Sequence, residues 1–309
     1  MPSMATRSAS GKAFLSSLRA MSASAPIRPW SLLTALSPAA EATLSQARIN
    51  ARFVAAALAA AFYTLLFGSL VILGAFLHVP RAWLDVCCRL WGRGILNWAG
   101  IRVQLEGLSH LPQTSAVLVG NHQGIFEILA LIAYLPNQPV FVGKQEAFRI
   151  PLFGHAMRAF GHIAIDREDR EQAITSIRQG AERLKAHNDQ VVFFPEGTRT
   201  RDGKLKPFKK GAFVFALESD LKIVPFAVDG SFQALPPGRR VIYPGLVRLR
   251  FLPPIDTMGY DHTQRDQLRD LTRDRIAAAV SQMRETQPLT GPEPSEDDPQ
   301  TDRSDRLIC

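Results

Sequence analysis

The chain has few cysteines and lacks the cysteine and histidine spacings that are typical of metal sites. Of its 309 residues only three are cysteines, namely the neighbours Cys87 and Cys88 and the final residue Cys309. Neighbouring cysteines rarely bridge, and no spacing here resembles a zinc site. We therefore expect a reduced, cytoplasm-facing protein with no bound metal. A Gly-x-Ser-x-Gly nucleophile elbow is also missing, which disfavours a covalent acyl-serine mechanism.

Acidic residues are missing from the start of the chain, where the first is Glu41, and are concentrated at its end. The segment Glu285–Cys309 carries a net charge of −5, which leaves +13 for the rest, given the total of +8. A basic body suggests an anionic partner such as phospholipid, nucleic acid or a phosphate-bearing substrate. The basic residues are not interleaved with stacking aromatics, so nucleic acid is the weakest of these.

The ends of the chain have compositions that are poor in core-forming residues. We predict that residues 1–50, rich in Ser, Ala and Arg, are a disordered basic arm. The alternatives are that this segment is a targeting peptide, or that Met4 or Met21 is the true initiator methionine. Residues 287–309 are rich in Pro, Glu and Asp, which predicts a disordered acidic tail.

One long stretch without charge predicts membrane attachment. It runs over the 25 residues Phe53–Leu77, between Arg52 and Arg81. As a helix it would reach roughly 37 Å, and a bilayer core is about 30 Å thick. Both flanks are basic, so the helix either spans the bilayer or enters one leaflet and returns through the amphipathic stretch Trp83–Trp98. Residues 51–99 are therefore predicted to anchor the chain, with the rest facing the cytoplasm (an inner membrane if the source is bacterial).

After residue 100 the pattern changes to strands that alternate with helices, which is typical of a layered α/β domain. We predict this domain over residues 100–286. The predicted strands are Ile101–Leu105, Ala116–Val119, Val140–Val142, Val191–Phe194, Ile223–Val228 and Val247–Leu252. The predicted helices are Ile128–Tyr134, Arg170–His187, Gly211–Leu217 and Gln264–Met283.

A histidine and a glutamate follow the second predicted strand. On one continuous helix His122 and Glu127 would lie about 140° apart and would not touch. If His122 instead ends the strand and Glu127 lies in the first turn of the next helix, the loop through Gly124 brings them together. A carboxylate on one imidazole nitrogen makes the ring a general base. The competing interpretation is a surface loop that holds a His and a Glu by coincidence.

A second polar turn follows the strand Val191–Phe194. Ligands of α/β sheets bind beyond the carboxyl ends of the strands, and an arginine at that point suits a phosphate. The turn supplies the candidate substrate-binding residues Glu196, Gly197, Thr198 and Arg199. Nearby lysines either enlarge the positive field or form a solvated face.

These segments resemble the 1-acylglycerol-3-phosphate (lysophosphatidic acid) acyltransferase family. The resemblance covers roughly residues 101–255 and rests on four blocks in order. They are Asn121, His122 and Glu127; Lys144, Glu146, Pro151 and Gly154, followed by Ile165, Asp166 and Arg167; Phe194 to Arg199 without a gap; and Ile223, Val224 and Pro225.

The resemblance implies a membrane enzyme that moves a fatty acyl chain from acyl-CoA or acyl carrier protein, with no bound cofactor. The acceptor would be the sn-2 hydroxyl of lysophosphatidic acid, with membrane phospholipid as the surroundings. It implies that His122 is the base, Glu127 its orienting acid and Lys144 an oxyanion stabiliser. Glu196 and Arg199 would hold the glycerol phosphate, and Pro225 would shape the site.

One position departs from the family pattern, which has Asp more often than Glu where this chain has Glu127. The longer side chain still reaches an imidazole. The departure leaves three alternatives open: another lysophospholipid as acceptor, glycerol 3-phosphate as acceptor, or an inactive adaptor that binds lipid.

Overall fold

The protein is described here from a computed structural model that covers residues 37–165 and 180–286. Its N-terminal part consists of two helices, α1 (Pro38–Phe76) and α2 (Arg81–Ala99). The remaining helices are α3 (Phe126–Tyr134), α4 (Phe153–Ala159), α5 (residues 180–187), α6 (Gly211–Glu218), α7 (Ser231–Ala234) and α8 (Arg265–Thr286). Two 3-10 turns lie at Leu108–His110 and Gln145–Arg149.

The strands form one mixed sheet. They are β1 (Ile101–Glu106), β2 (Ala116–Gly120), β3 (Pro139–Lys144), β4 (Ile163–Ile165), β5 (Gln190–Phe193), β6 (Ile223–Asp229) and β7 (Gly245–Phe251). The order is β1-β7-β6-β2-β5-β3-β4. Strands β2, β3, β4, β5 and β6 all run in the same direction. Strand β7 is antiparallel to β6, and β1 is parallel to β7, so these two strands run in the opposite direction.

The central strand β2 shows why this sequence forms a two-sided sheet. All its residues are apolar or glycine and all are buried, which is typical of a parallel strand covered on both faces. Leu118 packs into the core beneath α2 and α3. Its neighbours Val117 and Val119 pack into the opposite core, with residues of α6 and α8. The predicted layered α/β domain is confirmed.

Helix α2 is fixed to the α/β domain by its arginines. Arg89 donates to the carbonyl oxygens of Leu135 and Pro136, and Arg93 donates to that of Ala133 at 3.2 Å. These carbonyls lie at the carboxyl end of α3, where a helix favours cations. Arg89 and Arg93, two of the basic residues that follow the long apolar stretch, therefore have structural partners in the α/β domain.

The outer faces of α1 and α2 are apolar. Their exposed large side chains include Leu58, Phe62, Leu65, Leu73 and Phe76 on α1, and Trp83, Val86, Leu90 and Trp98 on α2. Within the described residues, Thr43–Phe76 is the one helical segment long and apolar enough to cross a membrane, and only 11% of its most apolar window is buried. The two-helix arrangement agrees with the anchor predicted for residues 51–99.

One predicted boundary differs in the structure, and other predicted segments lie outside the described residues. Helix α1 begins at Pro38, so the last part of the predicted arm 1–50 is helical; a run of residues after Pro38 with few helix breakers explains the early start. Residues 1–36, the tail 287–309 and the first part of the predicted helix Arg170–His187 lie outside the described residues.

Candidate active site

The carboxyl ends of three parallel strands bring the candidate site together. His122 follows β2, the turn that begins at Phe194 follows β5, and Ser231 follows β6. Because β2 pairs with both β5 and β6, these three segments lie side by side at one edge of the sheet. This is the edge at which parallel sheets bind ligands.

His122 and Glu127 are in direct contact. The Nδ1 atom of His122 lies 2.8 Å from Oε1 of Glu127, and both side chains are buried. The His122 ring also stacks on Phe194, with 4.3 Å between the ring centroids. The predicted approach of the two side chains is confirmed, and so is the predicted geometry: His122 follows the strand and Glu127 lies in the first turn of α3.

The turn between them is shaped to accept a carboxylate. The backbone N–H groups of Gln123 and Gly124 each donate to Glu127 Oε1 at 2.7 Å. Burial alone would raise the pKa of Glu127, but the hydrogen bonds from His122, Gly124 and Ser231 outweigh it and lower that pKa below its ordinary value. An ionised Glu127 only accepts hydrogen bonds, so Nδ1 of His122 donates and its Nε2 is the nitrogen that can take a proton.

Glu196 joins the two turns of the site. Its Oε1 accepts from the backbone N–H of His122 at 2.8 Å, and its Oε2 accepts from that of Lys206 at 3.0 Å. Burial raises the pKa of this carboxyl above its ordinary value, and the two N–H donors offset only part of that effect. Each oxygen has a backbone donor, and a carboxylate repels phosphate, so this geometry favours a brace over the contact with glycerol phosphate that the resemblance implied.

The rest of the second turn carries positive charge. Gly197 has a φ of 74°, a conformation that favours glycine, and a side chain there would collide with Lys209. Lys206 Nζ donates to the Thr198 hydroxyl at 3.1 Å and to the Arg199 carbonyl at 2.8 Å. The turn thus gathers Arg199, Lys206 and Lys209 beside the histidine, whose carbonyl accepts from the backbone N–H of Thr200 at 2.9 Å.

An apolar cavity of about 190 Å³ extends from the histidine into the protein. Its walls come from α1, α2, α3, α4 and β3. They include Phe67, Trp91, Leu129, Phe141, Met157 and Phe160. His122, Phe194 and Gly197 border the same cavity. A polar, ionisable edge and an apolar space therefore share one pocket.

Comparisons with known proteins show which proteins this chain is similar to. A family model described as Acyltransferase matches residues 102–229. The 1-acyl-sn-glycerol-3-phosphate acyltransferase of Limnanthes douglasii is 34% identical over 165 residues, which are 53% of this chain and 58% of that protein. The 1-acyl-sn-glycerol-3-phosphate acyltransferase alpha of Mus musculus is 36% identical over 163 residues, which are 52% of this chain and 57% of that protein.

The Caenorhabditis elegans protein acl-2 is 33% identical over 190 residues, which are 60% of this chain and 67% of that protein. The chain belongs to the 1-acyl-sn-glycerol-3-phosphate acyltransferase family. A crystal structure of the acyltransferase PlsC from Thermotoga maritima matches with a TM-score of 0.67 and 24% identity, over 77% of this chain and 97% of that chain. At that identity the structural match shows the fold.

The match to the first two of these family members is partial in length. The chain spans 58% and 57% of the Limnanthes douglasii and Mus musculus proteins. The matched family model, residues 102–229, contains His122, Glu127 and the turn from Glu196 to Arg199. It therefore contains both polar turns of the pocket.

Two further predicted site residues lie elsewhere or are only partly described. Lys144 ends β3 at the same edge of the sheet, but its side chain lies outside the described part of the structure. Pro225 lies inside β6, opposite Val119 and well before the carboxyl end of the strand at Asp229. Its register partner Val119 stands three positions before His122, and the role of Pro225 in shaping the site stays a prediction. Asp166 and Arg167 lie outside the described residues.

Three residues of the site had no role predicted from the sequence, although Asn121 stands in the first block of the resemblance. Asn121 makes two hydrogen bonds to the backbone of Val228, at 2.9 and 2.7 Å, and so fixes the turn after β2 to the end of β6. Ser231 donates from its hydroxyl to Glu127 Oε2. His162 also lines the cavity, and its Nδ1 accepts from the backbone N–H of Phe141 at 3.1 Å. These contacts join residues far apart in the chain, so no local spacing in the sequence predicts them.

Metal-binding potential is low in the part of the chain that the structure describes. Within residues 37–165 and 180–286, no group of three or more His, Cys, Asp or Glu side chains is arranged to hold an ion.

Proposed function

We propose that this protein transfers a fatty acyl chain from an acyl thioester to the sn-2 hydroxyl of 1-acylglycerol 3-phosphate, which gives phosphatidic acid. One observation carries the proposal: a buried histidine–carboxylate pair borders an apolar cavity on one side and a cationic turn on the other. Membership of the acyltransferase family supports the same reaction class.

The histidine acts as the general base. His122 Nε2 takes the proton of the acceptor hydroxyl as its oxygen attacks the thioester carbonyl carbon. The tetrahedral intermediate collapses, the carbon–sulfur bond breaks, and the His122 imidazolium returns the proton to the leaving thiolate. Glu127 holds Nδ1 and stabilises the imidazolium, the role that a buried carboxylate has in other histidine-based catalysts.

The apolar cavity receives the fatty acyl chain. Its walls consist mainly of aliphatic and aromatic side chains, which offer few partners to anything but hydrocarbon. The thioester carbonyl then lies near His122, with the carrier, coenzyme A or acyl carrier protein, outside the pocket. Lys144, at the end of β3, is the proposed donor to the developing oxyanion, a role typically worth about 2.7–4 kcal/mol.

The cationic turn binds the phosphate of the acceptor. Arg199, Lys206 and Lys209 lie in or against the turn whose Gly197 borders the cavity. Arginine binds phosphate in a bidentate manner, and lysine adds positive charge without fixed geometry. The glycerol hydroxyl is thereby held between the phosphate site and the histidine.

The exposed apolar faces of α1 and α2 support our inference that the pocket lies at a membrane. Acceptor and product both partition into the bilayer, so an anchored enzyme meets them where they are. We propose that the pocket opens on the cytoplasmic side, in line with the reduced cysteines.

A reconstituted assay tests this function. Purified full-length protein in phospholipid vesicles is given radiolabelled oleoyl-CoA or oleoyl acyl carrier protein. The acceptors are lysophosphatidic acid, lysophosphatidylcholine and glycerol 3-phosphate. We expect phosphatidic acid from the first acceptor and a loss of at least about 1,000-fold in His122→Ala. His262→Ala, which removes an exposed histidine at the start of the α8 region, is the matched control and should keep the wild-type rate.

Two results would contradict the proposal. Equal rates in wild type and His122→Ala would reject the histidine as base. Product from another acceptor in preference to lysophosphatidic acid would keep the acyltransferase chemistry but change the substrate.

A further inference from the structure

Ser231 lies directly behind the carboxylate of the proposed catalytic pair. It follows β6, and its side chain is fully buried. Its hydroxyl donates to Glu127 Oε2, whereas Oε1 of the same carboxylate faces His122 and the N–H groups of the turn. The two oxygens of Glu127 are therefore held from opposite sides.

The turn after β2 is packed onto this serine. A side chain at Gly124 would place its Cβ 2.6 Å from Ser231 Oγ and 3.0 Å from the Ser231 carbonyl oxygen. A residue larger than glycine at position 124 would therefore push the turn away from Ser231. The glycine lets the serine hydroxyl approach the carboxylate, and it is the second observation that ties Ser231 to the pair.

The position of Ser231 is fixed by the strand that precedes it. Asp229, at the end of β6, forms a buried ion pair with Arg248 of β7 at 2.7 Å. Arg284 of α8 approaches the other oxygen of Asp229 at 3.1 Å. Gly230 then turns the chain with a φ of 95°, which brings Ser231 toward the turn after β2. Three elements hold the serine in place, so its hydroxyl is preorganised.

We propose that Ser231 is a positioning residue of the catalytic pair, which holds Glu127 with one oxygen on His122. The inference rests on the proposed function, because it assumes that the pair is the general base. Ser231 does not touch the substrates in this account. It acts through Glu127, as groups behind a catalytic or metal-binding histidine commonly do.

Removing the Ser231 hydroxyl has two consequences that the loss of a merely structural serine would not have. The pair, which carries one negative charge, loses a hydrogen bond to that charge, so the pair takes up a proton more easily. The acid limb of the kcat/KM profile then moves to higher pH. Glu127 also gains freedom to turn away from His122, which lowers kcat and leaves the substrate contacts, and therefore KM, in place.

The test compares Ser231→Ala with wild type and with Ser219→Ala. Ser219 is a matched control because it is also a buried serine, but its hydroxyl donates to the carbonyl of Phe215 in α6 and not to the pair. Acyl transfer to lysophosphatidic acid is measured between pH 5 and pH 9 on vesicle-bound full-length protein, together with the thermal midpoint.

For Ser231→Ala we expect kcat to fall about 10- to 100-fold while KM stays within about twofold. The acid limb should rise by about one pH unit, since a hydrogen bond to a charged group is worth that order. Ser219→Ala should show neither change.

The inference is overturned if Ser231→Ala keeps more than half of wild-type kcat, or loses rate without a shift of the acid limb. Failure of Ser231→Ala to fold would assign the serine to stability and would also overturn it. A His122→Ala arm separates the two levels. If His122→Ala is active, the proposed function fails, whereas if it is inactive and Ser231→Ala is normal, only the role of Ser231 fails.

Discussion

Two histidines border the same cavity, and their surroundings differ. At the edge of the sheet, His122 donates from Nδ1 to the buried carboxylate of Glu127 at 2.8 Å. Beside β3, His162 accepts on Nδ1 from the backbone N–H of Phe141 at 3.1 Å. Burial, and then the charge of Arg81, lower the pKa of His162 to about 4.

The partner on Nδ1 separates the roles of the two rings. An anion stabilises the charged imidazolium, so His122 is equipped to take a proton during a reaction. An N–H donor requires an unprotonated Nδ1, so His162 is held neutral as a part of the cavity wall. The same residue type thus fits the proposed general base in one place and a wall of the cavity in the other.

The largest expected effect comes from making the surroundings of His122 resemble those of His162. Glu127→Gln removes the negative charge but keeps the size of the side chain. We expect kcat for acyl transfer to fall by about 10²–10⁴, because the imidazolium loses its counter-charge. Steady-state rates with lysophosphatidic acid measure this. A rate within threefold of wild type would show that the carboxylate is dispensable and that the two histidines differ for another reason.

A smaller effect is expected on the stability of the protein at low pH, where His162 titrates. The folded-state pKa of His162, about 4, lies below the ordinary value of 6.5. As the pH falls from 6.5 toward 4, the unfolded chain binds a proton at this residue and the folded chain does not. His162 therefore costs up to about 3 kcal/mol of stability over that window, and nothing above it.

His162→Asn keeps an acceptor for the Phe141 N–H and removes the titration. We expect its free energy of unfolding to fall less than that of wild type between pH 7 and pH 4.5, measured by denaturant titration in detergent. His262→Asn, at an exposed position, should follow wild type. Equal pH dependence in wild type and His162→Asn would mean that His162 is not held neutral by burial.

The smallest effect concerns the two glutamates of the site. Glu196 accepts from two backbone N–H groups, at 2.8 and 3.0 Å. Glu127 also accepts from two backbone N–H groups, but in addition from the His122 imidazole and the Ser231 hydroxyl. In Glu196→Gln one of these N–H groups meets an amide NH₂, so we expect a loss of about 1–3 kcal/mol in stability. The effect on kcat should be smaller than that of Glu127→Gln.

Glu218→Gln, on the exposed end of α6, is the control for this change and should leave the free energy of unfolding within about 0.5 kcal/mol of wild type. If Glu196→Gln unfolds like wild type but fails to bind lysophosphatidic acid, Glu196 is a substrate contact, as the resemblance implied, and not a brace.

Much of this fold was predictable because its signals are local. Apolar strands such as Val191–Phe194 and the helical period of α8 appear within a few residues of sequence. The contact between His122 and Glu127 was predictable for the same reason, since five positions across one strand–turn–helix junction leave few geometries. The short elements α4, β4 and α7 have too few residues for a period to show.

The supports of the site were not predictable because they are non-local. Ser231 reaches Glu127 across 104 positions, and Glu196 reaches His122 across 74. Which strands lie next to each other decides these contacts, and the order β6-β2-β5 follows from packing of the whole sheet. Pro225 was singled out by its place in a family motif, and the strand register now puts it inside β6, opposite Val119; its role in shaping the site stays a prediction.

The central claim is that His122 and Glu127 act as one unit in proton transfer. Its most direct test is a mutant cycle of His122→Ala, Glu127→Gln and the double variant, with single-turnover acyl transfer to lysophosphatidic acid as the measurement. We predict that the double variant is no slower than His122→Ala, within about threefold, because Glu127 has no role without the imidazole. A double variant whose losses multiply, or a His122→Ala protein at the wild-type rate, would contradict the account.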